Sequence, residues 1–381
     1  MVSDGAPGGI AFVRSELKQA EPPPSSVVGP YAWARARLFA TPGDILLTLI
    51  GIVIFGWIAW QFIDFALVRA VFQGTSGEDC RKSADVGACW PYAKAYWLQW
   101  VYGRYPIPER WRVDVVFLLF FGLLAPLMIP KAPLKRLNAL LFFLAFPIVA
   151  FVLLRGGLFG LEDVESYLWG GVLVTLVVAV TGIVFSLPLG IMLALGRRSK
   201  MPIIRLLSIM FIEFWRGVPL ITVLFMASNM LPLFMPAGTD VDKLLRALIG
   251  VSLFSAAYMA EVVRGGLQAI PKGQYEGAMA LGLNYWKMML LVVMPQALKL
   301  VIPGIVNTFI GLFKDTTLVA IVSLFDLLGM INFTRTDANW AAPTVAGTGY
   351  LVAAIFYFVF CFGMSRYSMF MERRLNTGHK R

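Results

Sequence analysis

Apolar residues fall into long, continuous runs separated by short polar stretches, unlike the alternating segments of ~10 residues that mark a β-barrel. About 20 apolar residues are needed to carry a helix across ~30 Å of hydrocarbon, where only helices and closed barrels satisfy their own backbone. The pattern therefore predicts an all-α integral membrane protein with about eight spans, at 45–68, 115–129, 137–154, 170–195, 206–234, 244–263, 288–313 and 349–370. A further apolar run at 316–331 reads as a short or re-entrant helix and ranks below the eight.

Composition agrees. Of the 381 residues, 59% are hydrophobic and 14% charged, against roughly 25% charged in a soluble domain. The formal net charge of +11 lies in short clusters between apolar runs, so positive-inside topology explains it better than nucleic-acid binding. The clusters are KAPLKR at 131–136, GRRSK at 196–200, the loop holding Arg264, Lys272 and Lys287, and the tail after Arg366. With eight spans they share one side, which predicts that both termini are cytoplasmic. The opposite loops, LEDVES at 161–166 and AGTDVD at 237–242, are acidic or mixed. Residues 1–43 are polar and proline-rich, and the first apolar run is too long for a signal-peptide core, so it reads as an uncleaved anchor.

The longest outer loop, 72–112, carries AYWLQWVYGRY, which reads as an interfacial aromatic belt. Cys80 and Cys89 share this loop, where a disulfide is allowed in an oxidising compartment and an unpaired state stays open. Cys361 lies in the last span, and the single histidine, His379, stands near the end of the chain. That scarcity argues against a metal site and against Ser-His or Cys-His catalysis. No G-x-x-x-x-G-K-[ST] loop is present, so energy must come from another chain or from a gradient.

The connection between the sixth and seventh spans runs to roughly two dozen residues, longer than the usual 2–8 between helices. Pro271 can open a helical turn, 274–281 can form two turns, Gly282 can stop them in the left-handed region, and Asn284 can cap the next helix. Gly273, Gly277, Ala278, Ala280 and Gly282 leave this elbow little bulk, so another backbone can approach. The same face also suits a surface helix packed under its own bundle, and spacing does not separate the two readings.

Glu276-Gly277-Ala278, three residues, Gly282, nine residues and Val292-Val293-Met294-Pro295 resemble the EAA-x3-G-x9-I-x-L-P loop of ABC importer permeases. Gly277, Val292 and Met294 depart from that pattern but keep size or apolarity. FWRGVPL at 214–220, YMAEVVRGGLQAIPKGQYEGA at 258–278, MPQALKLVIPGIVNTFI at 294–310 and KDTTLVAI at 314–321 resemble the polar amino-acid uptake branch. GGVLVTL at 170–176 does so as well. The likeness covers about 165–372, a five-span core in that family. The preceding three spans are similar to the longer permeases of general L-amino-acid uptake systems, the M-type among them.

The resemblance implies a permease in a bacterial inner membrane, divided into a cytoplasmic segment at 1–43, a three-helix extension at 44–160, the core and a basic tail at 373–381. It implies an ATP-binding subunit dimer, a second homologous permease and a periplasmic amino-acid-binding protein as partners, with membrane lipid around them and ATP used only by the partner. Gln274, Glu276, Gly277, Ala278, Gly282 and Pro295 would then belong to a coupling helix. Arg216, Glu261 and Asn307 are candidates for the substrate path, because an amino acid presents a carboxylate and an ammonium. A structural role for Arg216 and Glu261 at helix ends remains the alternative. The competing functions are a gradient-driven carrier and, less favoured, a membrane enzyme.

Overall fold

The computed structural model describes residues 29–82, 85–236 and 241–375. Its contacts divide the chain into two units, Met1–Val68 and Arg69–Arg381. The extension expected at 44–160 is thereby divided between the two. His379 and most of the basic tail lie outside the described residues, as does 237–240 of the acidic loop.

The first unit contains α1 (Pro30–Leu38) and α2 (Pro42–Val68). Thr41 starts α2 through a capping box: its hydroxyl accepts from the Asp44 N–H, and the Asp44 carboxylate accepts from the Thr41 N–H at 3.1 Å. Pro42 occupies the first turn, where its missing N–H costs nothing.

The second unit contains α3 (Trp90–Tyr102), α4 (Ile107–Met128), α5 (Lys135–Arg155), α6 (Gly171–Arg197), α7 (Pro202–Gly217), α8 (Leu220–Phe234) and α9 (Lys243–Ala269). It continues through α10 (Lys272–Ala280), α11 (285–300), α12 (Ile302–Val322), α13 (Leu327–Thr334) and α14 (Val345–Leu375). Among the described residues only isolated bridges interrupt this helical architecture. Among the described residues, seven helices are long and apolar enough to cross a membrane, and α7 with α8 makes an eighth span if the pair is counted as one.

Proline explains most departures from the expected spans. The run at 206–234 bends by 99° between α7 and α8. Pro219 forces Val218 out of the helical region, to φ −107° and ψ 132°. The run at 288–313 is also broken: the helix stops at Val301 and restarts at Ile302, with Pro303 in its first turn. The apolar stretch after Asp315 is not separate at its start, because 316–322 continues α12 before a left-handed Ser323 ends it. Wide turns at Leu141–Ala145, Met226–Met230 and Met289–Val293 each end two residues before a proline. The residue before each proline donates to the carbonyl five back, which moves the ladder away from the clash a proline ring makes four residues back.

At the core, α6 and α9 lie against each other along their small residues. A Cβ on Gly190 would stand 2.7 Å from that of Met259, and one on Gly182 would meet Leu312 and Val251. Such contacts let membrane helices approach closely. The basic loops share one end: Arg198 donates to the Leu267 carbonyl at 2.8 Å, and Tyr367 on α14 donates to the Met128 carbonyl. The acidic loops meet at the other, where Ser166 donates to Asp242.

That second end also corrects the aromatic loop. Residues 90–102 form α3, and Tyr92, Trp100 and Tyr105 are buried rather than arrayed as a belt. The Trp100 indole donates to Thr334 at 2.9 Å, and Tyr105 donates to the Leu154 carbonyl. Of the three tryptophans in 90–102, Trp97 is exposed, at 55%, Trp90 is half-buried and Trp100 is buried. Cys80 and Cys89 are joined, with Cα atoms 5.8 Å apart, and both are buried beside Trp340. The Cys89 N–H donates to Thr348 at 2.8 Å, which seats the bridge on the start of α14.

Candidate functional site

The elbow at the basic end forms from the residues whose spacing predicts it. α10 runs from Lys272 to Ala280, and Gly282 takes φ +72°. The Leu283 N–H reaches back to the Ala278 carbonyl at 3.2 Å, and the Gly282 N–H to Met279 at 2.9 Å. This is the Schellman arrangement, which satisfies the last carbonyls of a helix through a left-handed residue. Asn284 then caps α11 by accepting the Lys287 N–H at 2.9 Å.

The two faces of α10 differ. Tyr275 and Ala278, three residues apart, turn inward and pack with Met288, Met289 and Val293. Glu276, Gly277, Met279 and Leu281 face outward, with Leu281 80% exposed, whereas Gln274 is exposed but turned toward α11. Cβ atoms added at Gly273, Gly277 or Gly282 would meet nothing within 4 Å. The small residues thus leave open space on the outside and are not needed for packing within the chain, Ala278 excepted.

Three side chains missed by sequence reasoning hold the elbow in place. Arg198 at the end of α6 donates to the Tyr275 hydroxyl at 3.1 Å as well as to Leu267. Tyr275 donates to the same Leu267 carbonyl at 3.2 Å. Gln296 on α11 donates to Gln274 Oε1 at 3.0 Å and to the Val292 carbonyl at 2.8 Å. The available signal was the i, i+3 spacing of Tyr275 and Ala278; the Arg198 and Gln296 contacts depend on tertiary approach. Pro295 is exposed and acts on shape, through the wide turn before it.

Beneath the elbow, Arg216 and Glu261 come together, whereas Asn307 stands exposed on α12 outside their cluster. Glu261 is the hub. It lies 2.9 Å from Arg197, 2.7 Å from Arg264 and 3.7 Å from Arg216, and Arg197 also pairs with Glu213 at 2.8 Å. Arg197 and Arg216 sit in the last turns of α6 and α7, where the helix dipole favours cations. The cluster ties α6, α7 and α9 at one level. A Glu261→Gln chain, which leaves three guanidinium groups facing one another, is expected to lose about 1.5–3 kcal/mol, the scale of a hydrogen bond to a charged group. Thermal unfolding in detergent reads this, and a midpoint equal to wild type would remove the hub role.

Residues 186–377 match the family described as binding-protein-dependent transport system inner membrane component. The chain is 50% identical over 350 residues to the inner membrane amino-acid ABC transporter permease protein YhdY of Escherichia coli strain K12, covering 91% of this chain and 93% of that protein. It is 41% identical to the glutamate/glutamine/aspartate/asparagine transport system permease protein BztC of Rhodobacter capsulatus, over 97% of this chain and 99% of the relative. A solved structure described as an amino acid ABC transporter with histidines is 28% identical, covering 54% of this chain and 92% of its own, with a TM-score of 0.48. The chain belongs to the family of inner membrane components of binding-protein-dependent transport systems. By family it is a permease subunit of an ABC transporter, and not itself a catalytic chain.

Proposed function

We propose that this permease carries L-amino acids inward as one half of a membrane pathway, driven by a separate ATPase dimer that grips α10. A second related permease completes the pathway, and an amino-acid-binding protein delivers substrate at the acidic end. The observation that carries the ATPase contact is the elbow: its inner face is pinned by Tyr275 and Gln296, while Met279, Leu281 and three open glycines face outward at the basic end. Exposed apolar side chains beside residues without bulk suit a close protein contact. The amino-acid substrate is supported by what the relatives above are called. Glu261 and Arg216 serve the pathway as the tie between α6, α7 and α9, and Asn307 remains a candidate for substrate contact.

The test is purification of the tagged chain from its native membrane. Co-purification of an ATPase and a second permease, with ATP hydrolysis stimulated by amino-acid-loaded binding protein, is the expected result. Amino-acid uptake that persists without any ATPase and fails when the proton gradient collapses would favour the secondary carrier instead.

Both termini are proposed to be cytoplasmic, because the basic loops gather at one end. The cysteines native to the acidic end are too buried to report this, at 1% and 0% exposure for Cys80 and Cys89. Cysteine placed at Phe159, 92% exposed, is expected to react with an impermeant thiol reagent in intact cells, and cysteine at Lys135, Lys200 or Lys272 to stay unlabelled. External labelling at Lys272 would overturn the orientation and the ATPase contact with it.

A further inference from the structure

A cavity of ≈ 580 Å³ lies between α4, α5, α6 and the start of α9, away from the elbow and the Glu261 cluster. Phe120, Phe142, Phe146, Leu176 and Val180 form its walls. On α6 its lining runs from Leu173 to Phe185, about 18 Å at 1.5 Å per residue, and on α5 it runs from Phe142 to Arg155, about 20 Å. One leaflet contributes about half of the ~30 Å hydrocarbon thickness, so the cavity is close to one leaflet deep. Spread over that length, the space open to the centre of a water-sized sphere is about 6 Å across, which sets the walls about 9 Å apart, short of the 10–12 Å diameter of a helix with its side chains. A transmembrane helix is too wide for it; an extended hydrocarbon chain is not.

Charge is distributed along the bore in a way that also selects its occupant. Apart from Thr181, the polar lining residues Arg155, Glu165, Ser166 and Asp242 all stand at one end, that of the acidic loops. Asp242 accepts from Ser166 and from the Leu245 N–H at 3.0 Å, and Arg155 pairs with Asp163 at 2.9 Å while staying 34% exposed. Carboxylates and a guanidinium at one mouth complement a zwitterion, with the ammonium drawn to Glu165 and Asp242 and the phosphate to Arg155. Phe151 and Phe185 line the bore yet are 64% and 54% exposed, so it opens sideways, as entry from the bilayer requires.

We propose that this groove holds one acyl chain of a phospholipid with an amine headgroup, in the leaflet on the side of the acidic loops. Held there, the lipid fills the space between the α4–α5 pair and the core helices α6 and α9. The site does not depend on ATPase coupling, and its test reads lipid alone.

The full-length chain is purified in mild detergent and subjected to native mass spectrometry with headgroup analysis. One phosphatidylethanolamine retained per chain is expected after bulk lipid is stripped, and its absence would overturn the proposal. Val180→Trp, which fills the bore, is expected to lower retention at least tenfold; undiminished retention in a monodisperse variant would overturn it. Glu165→Gln lies at the exposed mouth and keeps the test open if the tryptophan does not fold. It is expected to lower the preference for phosphatidylethanolamine over phosphatidylglycerol severalfold, and an unchanged preference would overturn the headgroup assignment. A photoreactive benzophenone side chain at Phe151 is expected to capture lipid in native membranes, and capture of a protein chain instead would overturn the lipid as occupant.

Discussion

A Gly282→Asp chain is expected to insert at normal amounts and yet to lose about tenfold or more of the stimulated ATP hydrolysis of the assembled transporter. Gly282 holds φ +72°, and a Cβ there would have nothing within 4 Å, so the substitution meets strain but no collision inside the chain. Strain in the left-handed region is about 1–2 kcal/mol, and aspartate is among the side chains that tolerate it best. What changes is the outer face of the elbow, which receives bulk and negative charge where a close contact is proposed. Overpacking a tight interface costs about 1–3 kcal/mol, and every 1.4 kcal/mol is tenfold in affinity. Glu276→Lys acts from the same exposed face, reversing a charge near the middle of α10, and is expected to weaken ATPase co-purification as well. Normal insertion, normal association and normal stimulated hydrolysis in both variants would sink the coupling reading and leave α10 as a surface helix.

The second large effect is on folding, at the opposite end. Gly171→Ala is expected to leave little monodisperse protein in detergent, and Gly103→Ala to do the same. Gly171 has φ +63° and a Cβ there would stand 2.0 Å from the Trp100 carbonyl oxygen. Gly103 has φ +68°, and its Cβ would stand 2.3 Å from the Gly170 Cα. Three glycines thus let the end of α3 lie directly on the start of α6, where the Gly171 N–H also reaches the Phe325 carbonyl at 2.8 Å. Backbone cannot yield as a flexible side chain does, so alanine adds overpacking of about 1–3 kcal/mol to left-handed strain of similar size. Gly122→Ala and Gly363→Ala, with nothing within 4 Å, are the matched controls and should behave as wild type. Size-exclusion profiles separate the outcomes; a Gly171→Ala profile matching these controls would show that the α3–α6 contact relaxes cheaply.

Much of the elbow was legible because its determinants are local. A left-handed glycine, a capping asparagine and a proline before the first turn act within a few residues of themselves, and Gly282, Asn284 and Pro271 stand where those roles require. The spans were legible for a similar reason: continuous apolarity over about 20 residues has one solution in hydrocarbon. Span boundaries were less so. Val218-Pro219 and Val301 interrupt apolar runs without changing their hydropathy, so the breaks come from backbone sterics that composition does not register.

The sequence by itself determined the class of protein, the basic-end and acidic-end loops, and an elbow whose length and small residues resemble a permease coupling loop. Tertiary structure alone decided which side chains hold that elbow and which polar groups meet. Arg198 and Tyr275 are 77 residues apart, Arg197 and Glu261 are 64 apart, and Trp100 and Thr334 are 234 apart. Such pairs arise from how helices pack, and helix packing depends on the fit of whole surfaces, where one glycine facing a carbonyl counts for more than any local propensity. The burial of Tyr92 and Trp100 has the same origin: an aromatic run has no inward or outward sense until α13 and α14 close over it.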